Sequence, residues 1–256
     1  VLQWEWLWKK WNLFGGRDMR ESNKLEKSIA IMQPTYLPWL GYFGLIDQVD
    51  IFIIFESVQF SKRSWQQRNK IKTANGPIWL TVPVTSKGKR GQLINEVEID
   101  TIRNFHTAHI ASLENNYRKS PYFSEYSPEL FSLLENGHVY LSDLTTELIE
   151  WFCKVLGITT SIKYSSKMEN TGKNADLLAM LCGQVGATEY LSAPGSRDYL
   201  VDSDAFDKRN IPIKYNEYEP KEYPQLFGEF LPYMSIIDLL FNVGPESLSV
   251  IRQGCK

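Results

Sequence analysis

The stretch from Ser61 to Arg90 carries eight basic side chains, Lys62, Arg63, Arg68, Lys70, Lys72, Lys87, Lys89 and Arg90, and no acidic one. The remaining chain sets 20 basic against 30 acidic residues, so a net charge of -2 hides a strong local excess. Guanidinium forks grip phosphate oxygens in pairs and ammonium groups add point charge, so the block suits an anionic ligand. Alternation through "RNKIK" puts Arg68, Lys70 and Lys72 on one strand face and Asn69 and Ile71 on the other. A solvated strand edge, kept charged against aggregation, would use the same residues. Trp65 and the amides Gln59, Gln66 and Gln67 beside the charges favour recognition. Nucleic acid is a rival ligand, but the chain is slightly acidic overall and shows no known nucleic-acid module. A phosphorylated metabolite, a sugar nucleotide or the acceptor end of a tRNA would need fewer contacts than duplex DNA.

A second constellation is "LSAPGSRDYLVD", residues 191–202. Ser192 leads into a Pro194-Gly195 turn, and Arg197 and Asp198 open a helical segment, a place where an anion meets free N–H donors. The same residues also read as a plain turn with Asp198 as helix cap. His106 and His109 are spaced i, i+3 on a helix. Without the i, i+4 spacing and intervening Glu of a zinc helix, no metal site is expected. His109 is a candidate general base, since imidazole titrates near neutrality; a plain helix-face histidine is the alternative. The third feature is "MQPTYLPWLGYF", in which two prolines stiffen a turn that carries Tyr36, Trp39, Tyr42 and Phe43. An aromatic pocket wall and core packing both fit it.

The elements that must position these residues follow from periodicity. The apolar run ending at Met32 reads as a buried strand, followed by a short helix over about 39–47 and a second buried strand, "VDIFIIF", at 49–55. Asn75-Gly76 between two strand-like runs predicts a hairpin, with Pro83 at a strand end, and "LINEVEID" (93–100) reads as one more strand. Residues 101–117 predict a helix capped by Thr101, with two further helices before Gly157. Alternation then resumes with strand-like "TSIKYSS", a helix from about Lys173 to Val185, strands in "TEYLS" and "IPIKYNEY", and a helix in "SIIDLLFNVG". The expected fold is therefore α/β, a Rossmann-like mostly parallel sheet with a β-hairpin and a helical insertion. Residues 28–256 are read as one α/β domain behind a Trp-rich extension and linker, 1–27.

Composition bounds the rest. With 43% hydrophobic and 23% charged residues, 256 residues suffice for a sizeable core. Cys153, Cys182 and Cys255 are scattered and odd in number, which suggests free thiols in a reducing compartment. No apolar run reaches membrane-spanning length, so a cytoplasmic location is the expectation. The start, "VLQWEWLWKKWNLFGG", puts Trp4, Trp8 and Trp11 on one helical face, as a membrane-surface or partner-docking helix would; an extension without a role is the alternative.

"IAIMQPTYLPWLGYF", "VQFSKRSWQQRNKIKT" with its later "WLTVPV", "LSAPGSRDYL" and "YPQLFGEFLPYMSIIDLLFNVGPES" together resemble the WbqC-like family over about residues 28–250. His109, Tyr117 and Pro121-Tyr122-Phe123 resemble its pattern too, while Glu56-Ser57 stands where the family has an Asp-rich pair. The resemblance implies a role in bacterial O-antigen or other surface-polysaccharide synthesis, as an aminoacyl, most simply glycyl, transferase acting on a nucleotide-linked amino sugar. In that picture Lys62, Arg63, Arg68 and Lys72 neutralise phosphates, and Tyr36, Trp39 and Trp65 offer ring faces. Gln33, Gln59 and Asn69 orient the substrate, Ser192, Arg197 and Asp198 complete the pocket, and His109 is the base. No resident cofactor is expected; glycine would arrive activated, as glycyl-tRNA or through ATP plus glycine. A non-catalytic nucleotide-sugar or partner-binding protein of the same pathway is the rival, and an RNA-binding module a third reading. The opening also resembles that of nucleotidylyltransferases and pantoate ligases, but "LPWLGY" replaces their His-x-Gly-His turn, so adenylate chemistry is not implied.

Overall fold

The computed structural model describes residues 26–256; the Trp-rich start, and with it the reading of a docking helix, lies outside the described residues. β1 (Ser28–Met32) leads through a turn into α1 (Leu40–Asp47) and β2 (Ile51–Ile54). The hairpin β3 (Arg68–Thr73) and β4 (Gly76–Thr81) follows, then α2 (Phe105–Tyr117), α3 (Phe123–Glu135) and α4 (Leu141–Leu156). The chain returns as β5 (Ser161–Tyr164), α5 (Asn174–Gln184), β6 (Glu189–Ser192), α6 (Arg197–Val201) and β7 (Ile213–Tyr215), and ends with α7 (Ile236–Val243) and α8 (Ser247–Gly254).

The sheet runs β5-β2-β1-β6-β7 with every neighbouring pair parallel, so its strands in chain order sit as 3-2-1-4-5. That is the doubly wound Rossmann-like order expected, with β1 at the centre. Both faces are covered, which explains the continuous apolar runs in β1 and β2. Ala30, Phe52 and Ile54 point into the larger core with α1, α4 and α7. Ile29, Ile31 and Ile53 point to the other face, against Leu177, Leu178 and Leu181 of α5 and Phe206. Gly157 ends α4 in the left-handed region at φ 76°, where glycine carries no Cβ penalty.

Everything from Phe55 to Thr160 belongs to one connection between adjacent strands β2 and β5. The hairpin within it pairs Arg68 with Thr81 through Thr73 with Gly76. Its turn is Ala74-Asn75, one residue earlier than Asn75-Gly76, and Gly76 takes the positive φ of 96°. Residues 93–100 differ from expectation. They form a single 3-10 turn at Ile94–Glu96 and isolated bridges to Gln59, Val84 and Tyr140. Three different partners in eight residues leave no continuous ladder, so alternation there reflects burial of Ile94, Val97 and Ile99 rather than a strand. The helix predicted from Thr101 starts later, at Phe105, behind Asn104.

Candidate functional site

Past Met32 the chain turns through Gln33-Pro34-Thr35-Tyr36-Leu37-Pro38-Trp39. Leu37 sits in the left-handed region, at φ 47°, with its side chain fully buried. For a non-glycine residue that costs about 1 kcal/mol, and neighbouring elements hold it. Asn69 Nδ2 of β3 donates to the Leu37 carbonyl at 2.6 Å, and the Tyr36 N–H donates to the Trp65 carbonyl at 3.0 Å. On the far side the Ile236 N–H donates to the Pro38 carbonyl at 2.8 Å, and the Ser235 N–H to the Lys70 carbonyl at 2.9 Å. The turn is thus clamped between the hairpin and the start of α7.

Two adjoining cavities open beside this turn. One, of about 360 Å³, lies at the carboxyl ends of β1, β2 and β6, between Met32, Gln33, Phe55 and Ser192, with Ser64 and Trp65 as its other wall. The second, of about 340 Å³, is an aromatic slot formed by Trp39, Tyr42, Trp65 and Tyr233, with Asn69 at its wall. Met32, Thr35 and Trp65 line both, so the two adjoin across these side chains and together make up the cleft. The Thr35 hydroxyl is buried there without a hydrogen-bond partner. Trp39 is held edge-on to Tyr218 and tilted against Tyr233, at ring separations of 5.3 and 5.5 Å. Its ring lies over Gly41, where a Cβ would come within 2.3 Å of it. The cleft occupies the crevice where strand order reverses between β1 and β6, the position at which open α/β sheets bind ligands. Its aromatic slot suits the flat face of a base or sugar, and its few polar groups would orient one.

The expected site residues divide into three groups. Gln33, Trp39, Trp65, Asn69 and Ser192 line the cleft. Gln33 Oε1 accepts from Gln66 Nε2 at 2.7 Å, which ties the end of β1 to the 61–67 loop. The Ser192 hydroxyl is bonded to that of Ser196. Lys62, Arg63 and His109 line a different cavity, behind the same loop. The remaining residues line none of the three cavities. Tyr36 is fully buried, and no face of its ring is open to a ligand. Gln59 is exposed on a segment bridged to Leu93. Arg68 stacks on Trp79, its guanidinium carbon 4.2 Å from the ring centroid. Arg197 sits 4.5 Å over Tyr215, and Asp198 is exposed beside it on α6. The basic stretch is therefore not one phosphate-binding face.

Two findings change the roles expected of charged groups. His109 Nδ1 pairs with the Tyr36 hydroxyl at 2.8 Å. Burial pushes the imidazole down to about 4, so it is neutral at pH 7. With Nδ1 engaged by Tyr36 and the ring lining a cavity apart from the cleft, His109 is placed to hold Tyr36 rather than to take a proton from a substrate in the cleft. Lys72 is only 2% exposed, and its ammonium donates to Gln225 Oε1 at 3.0 Å and to the Glu229 carbonyl. Gln225 Nε2 in turn donates at 2.7 Å to Asp238, a fully buried carboxylate that also accepts from Tyr117 and Tyr223. This network braces β3 against α2 and α7, and strand alternation alone gave no sign that Lys72 would be covered. Glu56 is likewise internal, bonded to Ser166, and burial raises its carboxyl.

Sequence reasoning also missed Thr35, Ser196 and Tyr233 as lining residues. Thr35 lies inside the quoted "MQPTYLPWLGYF" stretch and Ser196 inside "LSAPGSRDYLVD". Tyr233 is 54% exposed with φ at 61°, and no local pattern separates it from a loop tyrosine. Among the described residues no group of His, Cys, Asp and Glu is arranged to hold a metal ion. Nor is any helix there long and apolar enough to cross a membrane.

Comparison with known proteins agrees with the motif resemblance. A 228-residue alignment at 43% identity links the chain to "Uncharacterized protein Rv1507c" of Mycobacterium tuberculosis (strain ATCC 25618 / H37Rv), covering 88% of this chain and 98% of that protein. No solved structure matches. The match to the family itself runs over residues 33–250, from the Gln33 turn through α7 and half of α8, and the chain belongs to the WbqC-like protein family.

Proposed function

We propose that the cleft binds a nucleotide-linked amino sugar and that the protein transfers an aminoacyl group, most simply glycyl, to its amine in surface-polysaccharide synthesis. The observation that carries the binding half is the switch-point cavity with the aromatic slot directly beside it. A base or sugar would lie between Trp39, Trp65 and Tyr233, and Gln33 and Ser192 at the wall would meet its polar edge. The glycyl half rests on what family resemblance implies. In the transfer the neutral amine attacks the activated acyl carbon, a C–N bond forms, and the bond to the donor's leaving oxygen breaks. The departing oxygen carries off the amine proton, so the demand on the protein is chiefly positioning.

A binding protein without catalysis is the second reading. It is favoured by the Ser192–Ser196 hydroxyl pair and by the placement of His109 outside the cleft, which leave no nucleophile–base pair there. One experiment separates the two. The protein is incubated with a dTDP-linked amino sugar and, in turn, glycyl-tRNA or ATP plus glycine, and the sugar is followed by mass spectrometry. A glycine-residue mass gain supports transfer. Tight sugar-nucleotide binding with no mass gain from either donor refutes it and leaves the binding protein.

A further inference from the structure

The loop from Ser61 to Gln67 presents two different surfaces. Ser64, Trp65 and Gln66 face the cleft, whereas Lys62, Arg63 and Gln67 face a separate cavity of about 510 Å³. Its opposite wall is Arg103 with Phe105 and His109 of α2, and Asp100 and Thr81 also contribute. Three cations and one carboxylate leave an excess of two positive charges. Asp100 lies 3.4 Å from Arg103 Nε, while Lys62 and Arg63 make no ion pair among the described residues. Unpaired cations converging on a concave surface raise the local potential and attract anions.

The backbone points the same way. Arg63 takes φ 62°, in the region that side-chain-bearing residues rarely adopt. A buried side chain holds it there: Gln67 Oε1 accepts from the Arg63 N–H at 3.0 Å, while its Nε2 donates to the Val82 carbonyl at 3.0 Å. The fold therefore keeps a strained backbone at a residue whose guanidinium has no ion-pair partner among the described residues.

The geometry points to a second anion site, distinct from the cleft, that takes a diphosphate-bearing small molecule on Arg63, Arg103 and Lys62. The cavity exceeds the size of one phosphate, and forked guanidinium groups suit paired phosphate oxygens. This site does not depend on the transfer reading.

Calorimetric titration of the full chain with inorganic pyrophosphate and with ADP tests it. Pyrophosphate binds with a Kd of about 1 mM or tighter. Arg63→Gly, which adopts the same backbone without strain, melts no lower than the parent yet binds at least about tenfold more weakly; Arg103→Gln weakens binding as well. Trp39→Ala leaves pyrophosphate affinity unchanged, which separates this site from the cleft. ADP binding tighter than pyrophosphate, still lost in Arg63→Gly, identifies a nucleoside diphosphate; equal affinities identify the diphosphate group alone. No heat from either probe at several times that concentration, parental affinity in Arg63→Gly, or loss of binding in Trp39→Ala overturns the assignment.

Discussion

Replacing Asp238 by alanine should cost more stability than any single change within the cleft. The carboxylate accepts the Tyr117 hydroxyl at 2.9 Å on Oδ1, and the Tyr223 hydroxyl at 2.8 Å and Gln225 Nε2 at 2.7 Å on Oδ2. Alanine leaves three buried donors without an acceptor, at about 1–3 kcal/mol each before any rearrangement. It also removes a negative charge that interacts with the buried Lys72, whose field partly offsets the upward push of burial on Asp238. Some repacking and water entry recover part of the loss, so the net is about 3–5 kcal/mol, a large share of a typical total of about 5–15 kcal/mol. Urea unfolding followed by tryptophan fluorescence and far-ultraviolet dichroism should show the midpoint falling by more than about 1 M at unchanged slope. Asp238→Asn keeps one acceptor oxygen, which can serve Tyr223 and Gln225, and sets an amide donor against Tyr117. Since the Tyr117 hydroxyl already accepts from the Lys72 N–H at 2.9 Å, its proton loses a partner, and the loss should be about 1–2 kcal/mol. Lys72→Met should then cost less in the Asp238→Asn background than in the parent, with a coupling of about 1 kcal/mol. An Asp238→Ala variant within 1 kcal/mol of the parent, or strict additivity of Lys72→Met and Asp238→Asn, would refute the reasoning that these groups form one buried unit.

Three more outcomes can be checked. The folded imidazole of His109 titrates at about 4 against 6.5 for an ordinary one, so between those values the unfolded chain binds more protons and stability falls as pH drops. The contribution is about 3 kcal/mol; urea midpoints at pH 7 and 4.5 should lie closer together in His109→Gln than in the parent, and equal spacing would count against the buried neutral imidazole. Gly41→Ala places a Cβ 2.3 Å from the Trp39 ring, so the ring must leave its place in the slot. Affinity for the dTDP-linked sugar should fall by about tenfold, equivalent to 1.4 kcal/mol, in calorimetry, and an unchanged value would remove Trp39 from the binding surface. Burial raises the thiols of Cys153, to about 12, and Cys182, whereas half-buried Cys255 rises only to about 11. A thiol reagent at pH 8 should therefore label Cys255 first in the native protein and all three only after unfolding; early labelling of Cys182 would contradict its buried placement.

What could be read from the chain was whatever depended on local pattern. β1 and β2 are buried on both faces, so their apolar runs are unbroken. Long α4 repeats its buried side every third or fourth residue, and a glycine marks its end. The hairpin was legible from Asn75-Gly76, although the turn settled one residue earlier because Gly76 was the residue able to take positive φ. Helix α8 was missed, since Ser247–Gly254 offers only Leu248, Val250 and Ile251 as apolar residues, too few to set a period. Long-range contact decided the rest. Tyr36 reads as a ligand-facing ring, but His109 of α2 packs against it, and Lys72 reads as an exposed cation, but residues 225–229, far along the chain, close over it. Side-chain type and spacing identify groups able to do chemistry, but which of them meet solvent is settled by segments remote in the chain.

The single connection that leaves β2 and re-enters at neighbouring β5 has an architectural consequence. The strand ends supply a generic crevice, while Ser64, Trp65 and Asn69, which wall it, come from the inserted segment, as do Lys62 and Arg63 of the basic cavity. Because the insertion departs and returns on adjacent parallel strands, it behaves as a cassette. Its 61–67 loop can be rewritten to recognise another ligand while β1, β2, β5 and β6 keep their register, whereas α4 and Lys72, which pack into the core and the Asp238 network, are held fixed by the stability of the fold.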